Sequence, residues 1–207
     1  MAKRLGMVID TVRCQGCHTC CMACKIENNL PDDNWWNRVV MVDGGEMDTP
    51  VGTYPNVSMT YRTMACQHCD NPACVKACPV GATYKRKEDG IIVQDYDICI
   101  GCRTCMVACP YNVRIFNWKV PEYRINFDVG DPDVPKKQKS IVEKCTFCVQ
   151  RVSKDLKPAC IDVCLGRARF FGDFNDPDSE VSKLLSTRRH YQLLPELGTK
   201  PSIYFLV

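Results

Sequence analysis

The chain has 207 residues, 45% of them hydrophobic and 25% charged, a balance that suits one large globular domain or two small ones. Its 27 Lys and Arg nearly offset 24 Asp and Glu, leaving a formal charge of +3; the basic residues are scattered and form no tail, so a nucleic-acid partner is not expected. Seventeen cysteines stand outside this ordinary composition, and their odd number, without an export signal, argues against a disulfide framework.

The N-terminal MAKRLGMVID reaches Asp10 after an apolar stretch too short for the core of a signal peptide, and Lys3-Arg4-Leu5 is no twin-arginine signal. No apolar run approaches the roughly 18–20 residues of a membrane span. A soluble chain with no export address of its own is expected. MVID reads as a short strand ending four residues before Cys14. The first cysteine run follows: Cys14, Cys17, Cys20 and Cys24, in the rhythm C-x2-C-x2-C-x3-C. After a connecting insertion over 31–63, the second run, Cys66, Cys69, Cys74 and Cys78, opens the middle gap to four residues. VGATYKRKEDGIIV then predicts a hairpin turning at Asp89-Gly90. IIVQD, ending four residues before Cys99, predicts a strand like MVID.

The third run, Cys99, Cys102, Cys105 and Cys109, repeats the spacing of the first. A second insertion over 119–139 contains the polar, proline-bearing loop GDPDVPKKQKS. The fourth run, Cys145, Cys148, Cys160 and Cys164, opens its middle gap to eleven residues. RARFF predicts a strand, SEVSKLLSTRRHY a helix, and Ser202 to Val207 an extended end whose apolar IYFLV docks on the core or on a partner.

Four complete quartets leave only Cys21 over. Three cysteines at i, i+3 and i+6 can turn inward around one compact object, and Gly16 and Gly101 permit the unusual dihedrals such a loop needs. The fourth cysteine, a helical turn further on, faces away from the first three and must ligate something else, as it does in two-cluster ferredoxins. Pro79 and Pro110 end the helices of the second and third runs; Lys25 and Leu165 stand in that position in the other two. Structural zinc favours two C-x2-C pairs closing one tetrahedron. Cys66/Cys69 and Cys145/Cys148 could serve so, whereas the x2-x2 rhythm of the first and third runs points to iron–sulfur cubanes.

The expected fold is α+β, with two bacterial dicluster-ferredoxin-like modules related by an internal repeat, long loops and a C-terminal extension. Residues 64–118 form the inner module around the second and third runs. Residues 1–30 and 140–172 form the outer module around the first and fourth. Residues 31–63 and 119–139 connect them, and 173–207 are the extension.

The stretches RLGMVIDTVRCQGCHTCCMACKIEN, CQHCDNPACVKACPVGATYKR, DICIGCRTCMVACPYNVRIFNW, EKCTFCVQRVSKDLKPACIDVC and LLPELGTKPSIYFL resemble the four-cluster iron–sulfur subunits of the dimethyl sulfoxide reductase superfamily. Within it the chain looks most like the small subunits of arsenate, tetrathionate and polysulfide reductases. It is less like those of nitrate reductases, which have a tryptophan where this chain has Cys102; that difference favours a four-iron cluster there. The resemblance implies four [4Fe-4S] clusters. Cluster one takes Cys14, Cys17, Cys20 and Cys164, and cluster two takes Cys24, Cys145, Cys148 and Cys160. Cluster three takes Cys66, Cys69, Cys74 and Cys109, and cluster four takes Cys78, Cys99, Cys102 and Cys105. It further implies a large partner carrying a molybdenum or tungsten bis(pterin) near cluster one, and a membrane anchor or other redox partner near cluster four.

With about two negative charges per oxidised cubane and its thiolates, the formal +3 becomes about −5. Arg13, Lys25, Lys76, Arg103 and Lys144 adjoin the ligand positions and are weighed equally as potential-raising charges or as solvated side chains. Cys21 reads as a packed free thiol, and His68 as packing near a cluster or hydrogen-bonding to it. His18 and His190 carry no distinguishing context, and Trp35, Trp36 and Trp118 read as core or interface. No nucleophile–base arrangement, phosphate loop or HExxH motif occurs, so the chain is not expected to catalyse anything alone. The leading reading is an electron-transfer subunit of a molybdopterin oxidoreductase in anaerobic respiration. The alternatives are a free-standing soluble polyferredoxin and a zinc-stabilised scaffold. Resemblance to exported respiratory reductases favours the periplasm, reached folded alongside a twin-arginine partner; non-respiratory relatives leave the cytoplasm open.

Overall fold

The apolar stretch carrying MVID forms strand β1, Leu5–Asp10, which is buried on both faces. Alternation sends Met7 and Ile9 into the main core and Val8 into a smaller one. The computed structural model describes residues 3–43, 46, 48–123, 125 and 127–207. Residues 1–2 of the expected outer module, and 44–45, 47, 124 and 126 of the insertions, lie outside the described residues.

From β1 the first cysteine loop enters α1 (Thr19–Glu27). The first insertion folds as β2 (Arg38–Met41), β3 (Val51–Thr53), β4 (Asn56–Ser58) and β5 (Tyr61–Met64), with β2 antiparallel to β5 and β3 to β4. The second run holds α2 (Ala73–Lys76), followed by β6 (Thr83–Lys85) and β7 (Ile92–Gln94). These last two are the hairpin expected around Asp89-Gly90, with Gly90 at φ +75°. The third run holds α3 (Thr104–Val107), and β8 (Ile115–Phe116) pairs across the second insertion with β9 (Val142–Glu143). The fourth run holds α4 (Val149–Val152) and α5 (Ala159–Asp162). The chain closes with β10 (Arg169–Asp173), α6 (Glu180–Thr187), β11 (His190–Tyr191), a 3₁₀ turn over Pro195–Leu197 and β12 (Ile203–Leu206).

The largest sheet has the order β10-β1-β12-β11. β1 runs antiparallel to β10 and parallel to β12, so the chain's two ends meet in one sheet. Ile203 and Phe205 enter the main core with Met7 and Ile9, while Leu206 joins Val8 and Val181 of α6. The C-terminal segment thus docks on the core rather than waiting for a partner.

The helix expected over SEVSKLLSTRRHY is shorter than that stretch. Ser179 caps α6 by accepting from the Ser182 N–H at 3.2 Å, and the helix ends at Thr187. The Ser186 and Thr187 hydroxyls bond back to the Lys183 carbonyl, and Arg188 turns extended to meet the buried carboxylate of Asp10. His190 and Tyr191 then pair with β12 as strand, not helix.

A second junction is polar. Glu143 is fully buried and accepts from Asn117 Nδ2 at 2.6 Å and Trp36 Nε1 at 3.2 Å. One carboxylate therefore ties the first insertion and the third run's exit to β9, satisfying donors that burial would otherwise leave unpaired. Trp36 is a core residue, as expected. Trp118 is exposed beneath Arg103, whose guanidinium carbon lies 4.6 Å from its ring.

Candidate metal centres

Each cysteine loop bends at the same place. The residue before the second cysteine of every run has positive φ: Gly16 at +67°, His68 at +43°, Gly101 at +67° and Phe147 at +55°. Glycine is expected there for conformation alone, and space enforces it as well. A Cβ on Gly16 would lie 2.6 Å from the Tyr61 ring, and one on Gly101 would lie 2.2 Å from the Ser140 carbonyl oxygen. His68 and Phe147 occupy the same turn without that freedom. They stack on one another with centroids 3.6 Å apart, both buried, so ring packing offsets the backbone cost. His68 Nδ1 also accepts the Ile92 N–H at 3.1 Å. The packed histidine expected from sequence is present, joined to its counterpart in another run.

The fourth cysteines sit where each helix gives out. Cys24 lies inside α1. Cys78, Cys109 and Cys164 each follow a C-cap and continue the turn with an i→i−3 bond, to Val75, Met106 and Ile161 respectively. The two helices preceding prolines therefore end before the cysteine, as the restriction on residues before proline requires. α1 packs against α5, and α2 against α3.

The thiols gather across runs. Cys24 is buried, and its thiol is pushed well up by that burial and by Cys145, Cys148 and Cys160. Asn28 Nδ2 stands 3.7 Å from both the Cys24 and the Cys148 sulfurs. Cys14 is raised by burial and by its neighbours Cys20 and Cys164, and one cavity is lined by Cys14, Cys17, Cys20 and Cys164. Burial raises Cys69 to about 12, with Cys66, Cys74 and Cys109 adding to it. A second cavity is lined by Cys78, Cys99, Cys102 and Cys105.

Of the seventeen cysteines only Cys17 and Cys102 are exposed. Each has a threonine two residues on, Thr19 and Thr104, whose hydroxyl approaches its sulfur at 3.4 Å. Through that hydroxyl the Cys102 thiol sits below its ordinary range. Cys21 is buried, as expected for the thiol left over, and bonds to the Cys20 sulfur; that contact lowers Cys20 and raises Cys21.

Do these residues fit iron–sulfur clusters? Among the described residues no three His, Cys, Asp or Glu side chains form a group that could hold a single metal ion. A cubane asks for something different, one thiolate at each of four separated corners. The second observation is electrostatic. Arg114, Lys144 and Arg169 are buried, and among the described residues no carboxylate pairs with any of them. Buried cations need compensating anions, and the sulfurs are the groups beside them. Arg114 is drawn down by burial but held up overall by Cys74, Cys105 and Cys66. Arg169 is held up by Cys160, Cys20, Cys21 and Cys164. The residues fit the group.

Of the five cations singled out beside ligand positions, only Lys144 is buried. Arg13 meets Asp10, Lys25 bonds to the Pro31 and Asp32 carbonyls, Lys76 meets Asn71, and Arg103 stacks on Trp118. Arg114 and Arg169 escaped the sequence reading, although a signal existed. Each lies five positions after the last cysteine of its run, Cys109 and Cys164.

The 4Fe-4S dicluster domain family matches residues 57–124 and 133–174. A protein of Halobacterium salinarum named for the iron–sulfur subunit of a dimethyl sulfoxide reductase is 51% identical, over 97% of this chain and 78% of its own length. The chain belongs to the iron–sulfur subunits of the dimethyl sulfoxide reductase superfamily. Two further relatives are each 40% identical. A selenate reductase subunit of Mesobacillus selenatarsenatis matches over 97% of this chain and 70% of its own length. The arsenate respiratory reductase iron–sulfur subunit of a Shewanella species matches over 98% and 96%. As an iron–sulfur subunit of this kind, the chain transfers electrons within an oxidoreductase complex and is not itself the catalyst. Membership sets aside the zinc scaffold and the diffusing polyferredoxin. Among the described residues no helix is long and apolar enough to cross a membrane.

Proposed function

We propose that this subunit holds four [4Fe-4S] clusters and passes electrons along them in numerical order. Cluster one would be held by Cys14, Cys17, Cys20 and Cys164, and cluster two by Cys24, Cys145, Cys148 and Cys160. Cluster three would be held by Cys66, Cys69, Cys74 and Cys109, and cluster four by Cys78, Cys99, Cys102 and Cys105. The observation carrying the reading is the company Cys24 keeps: it is buried with Cys145, Cys148 and Cys160, more than a hundred residues away, while its own run turns elsewhere. The recurring left-handed turn and the α1–α5 and α2–α3 pairs support two ferredoxin-like modules related by a repeat, one inner (64–118) and one outer (1–30 with 140–172).

When bound, each cluster supplies a one-electron centre whose potential follows charge, exposure and hydrogen bonds to sulfur. The four cysteines assigned to cluster two are all buried and those assigned to cluster three are buried or half-buried, while the only exposed ones, Cys17 and Cys102, belong to the clusters assigned to the two ends. The Cys17 face is assigned to a large subunit carrying a molybdenum or tungsten bis(pterin), and the Cys102 face to a membrane anchor or other redox carrier. Export already folded, beside a partner carrying a twin-arginine signal, is the assigned route to a periplasmic location.

Anaerobic analysis is expected to return about sixteen iron atoms per chain and as many sulfides. Iron near eight, or a preponderance of zinc, would overturn the four-cluster reading. Affinity purification from native cells, followed by metal and pterin analysis of what co-purifies, tests the partner; recovery of the chain alone counts against it.

A further inference from the structure

Among the described residues four cations are buried, Arg114, Lys137, Lys144 and Arg169. Lys137 lies over the Trp36 ring with Glu143 as its counter-charge, and each of the other three lies near sulfurs of two quartets. Arg169, 6% exposed, is beside Cys20 and Cys164 of the first quartet and Cys160 of the second. It also lines the first quartet's cavity, and its Nη2 is 3.4 Å from Asn37 Oδ1. Lys144, 1% exposed, precedes Cys145 of the second quartet and donates to its carbonyl at 2.9 Å and to that of Ile92. Burial draws its ammonium down overall, against the pull of Cys145 and of Cys66 and Cys74 of the third quartet. Arg114, 4% exposed, is beside Cys66 and Cys74 of the third quartet and Cys105 of the fourth. Thr83 Oγ1 and Gln94 Oε1, both 3.2 Å from Nη1, hold it on the β6–β7 hairpin.

We propose that Arg169, Lys144 and Arg114 form a line of buried cations interleaved with the four clusters, one in each gap between neighbours, each raising the potentials of both clusters that flank it. The inference rests on the four-cluster reading above.

The physical case is one of compensation. Four cubanes of about 2− each, set in a row, repel every added electron, and each reduction makes the next harder. Surface cations would be screened by solvent, whereas a cation in the dry space between two clusters acts on both. Apart from the ligand sulfurs, among them Cys74 beside Arg114 and Cys160 beside Arg169, the acceptors that hold these three are neutral: Asn37, Thr83, Gln94 and backbone carbonyls. Neutral acceptors fix a cation's position without cancelling its charge. Moreover Lys144 and Arg114 lie near enough to repel one another, an arrangement the interior tolerates only with anions on either side. Two of the three also recur at one position of the repeat, five residues after Cys109 and Cys164.

The test is a potentiometric titration followed by EPR on the full chain, wild type against Arg169→Gln, Lys144→Gln and Arg114→Gln. Wild-type iron near sixteen must be found first; its failure would count against the four-cluster reading and not against this one. Each glutamine variant is expected to lower the potentials of two clusters and spare the other two. The pairs are one and two for R169Q, two and three for K144Q, and three and four for R114Q. A tenfold change in the reduced-to-oxidised ratio at fixed potential, about 59 mV for one electron, is the effect sought. The charge-conserving R169K, K144R and R114K should leave both potentials near wild type, which a merely structural role would not give. If a glutamine variant loses iron, the conservative variant decides. Retention of both flanking clusters supports the proposal, and their loss overturns it. No shift, a uniform shift, or a shift confined to one cluster also overturns it.

Discussion

Cys24→Ser is expected to damage the cluster bound by Cys145, Cys148 and Cys160 and to leave the one at Cys14, Cys17 and Cys20 intact. Cys24 is only four residues from Cys20, so closeness in sequence taken alone would assign the damage to the first run, whereas the helical turn between them already points Cys24 away. In α1 the fourth cysteine is carried round to the side that packs on α5, where the partners are Cys148 and Cys160. Asn28, one turn further along, reaches the sulfurs of Cys24 and Cys148 equally. A serine oxygen is a shorter and harder donor than thiolate and holds iron poorly. The second cluster should therefore be lost or reduced to a three-iron form, with iron falling from about sixteen to about twelve to fifteen. EPR of the reduced protein checks which signal changes. Cys164→Ser is the companion measurement, since it should remove the signal that C24S spares. Loss of the Cys14-associated signal in C24S would reverse the proposed pairing.

The cysteine quartets were legible because they follow from covalent spacing, which no tertiary context can move. The short strands at MVID and IIVQD and the hairpin at Asp89-Gly90 were legible for a related reason, since alternation and turn chemistry act over a few residues. What escaped depends on distant pairing. His68 and Phe147 look unlike the glycines they replace, and only their mutual stacking explains how two bulky side chains occupy the same left-handed turn. Arg114 and Arg169 look like ordinary strand-edge cations until the sulfurs of two quartets close around each. The overextended helix at RRHY failed for the same reason: Arg188 leaves the helical path for a carboxylate 178 residues earlier, and His190 follows a strand that local pattern could not reveal.

Deletion of residues 203–207 is expected to prevent assembly of the whole subunit, although no cluster ligand is removed. β12 is an interior strand of its sheet, held between β1 and β11. Its loss would strip β1 of one of its two pairing partners and open the apolar faces of Met7, Val8 and Ile9 to water. Ile203, Phe205 and Leu206 are almost wholly buried, and burying each such side chain contributes about 1.5–3 kcal/mol. Together they account for about 5–9 kcal/mol, comparable with the roughly 5–15 kcal/mol that holds a typical domain folded. The damage would reach the metal sites, because β1 ends at Asp10, whose carboxylate accepts the Val12 and Arg13 N–H groups and so sets the turn into Cys14. β10, the other neighbour of β1, begins with Arg169. The deletion variant should therefore yield little soluble protein and far fewer than about sixteen irons per chain. Phe205→Ala offers a graded form of the same test. A cavity at this position should cost about 3–5 kcal/mol and lower Tm by on the order of 10 °C, read by thermal unfolding of the anaerobic protein. A deletion variant with full iron content and an unchanged melting curve would mean that β1 holds the first cysteine loop without β12, and that the meeting of the chain's two ends is dispensable to the sites it encloses.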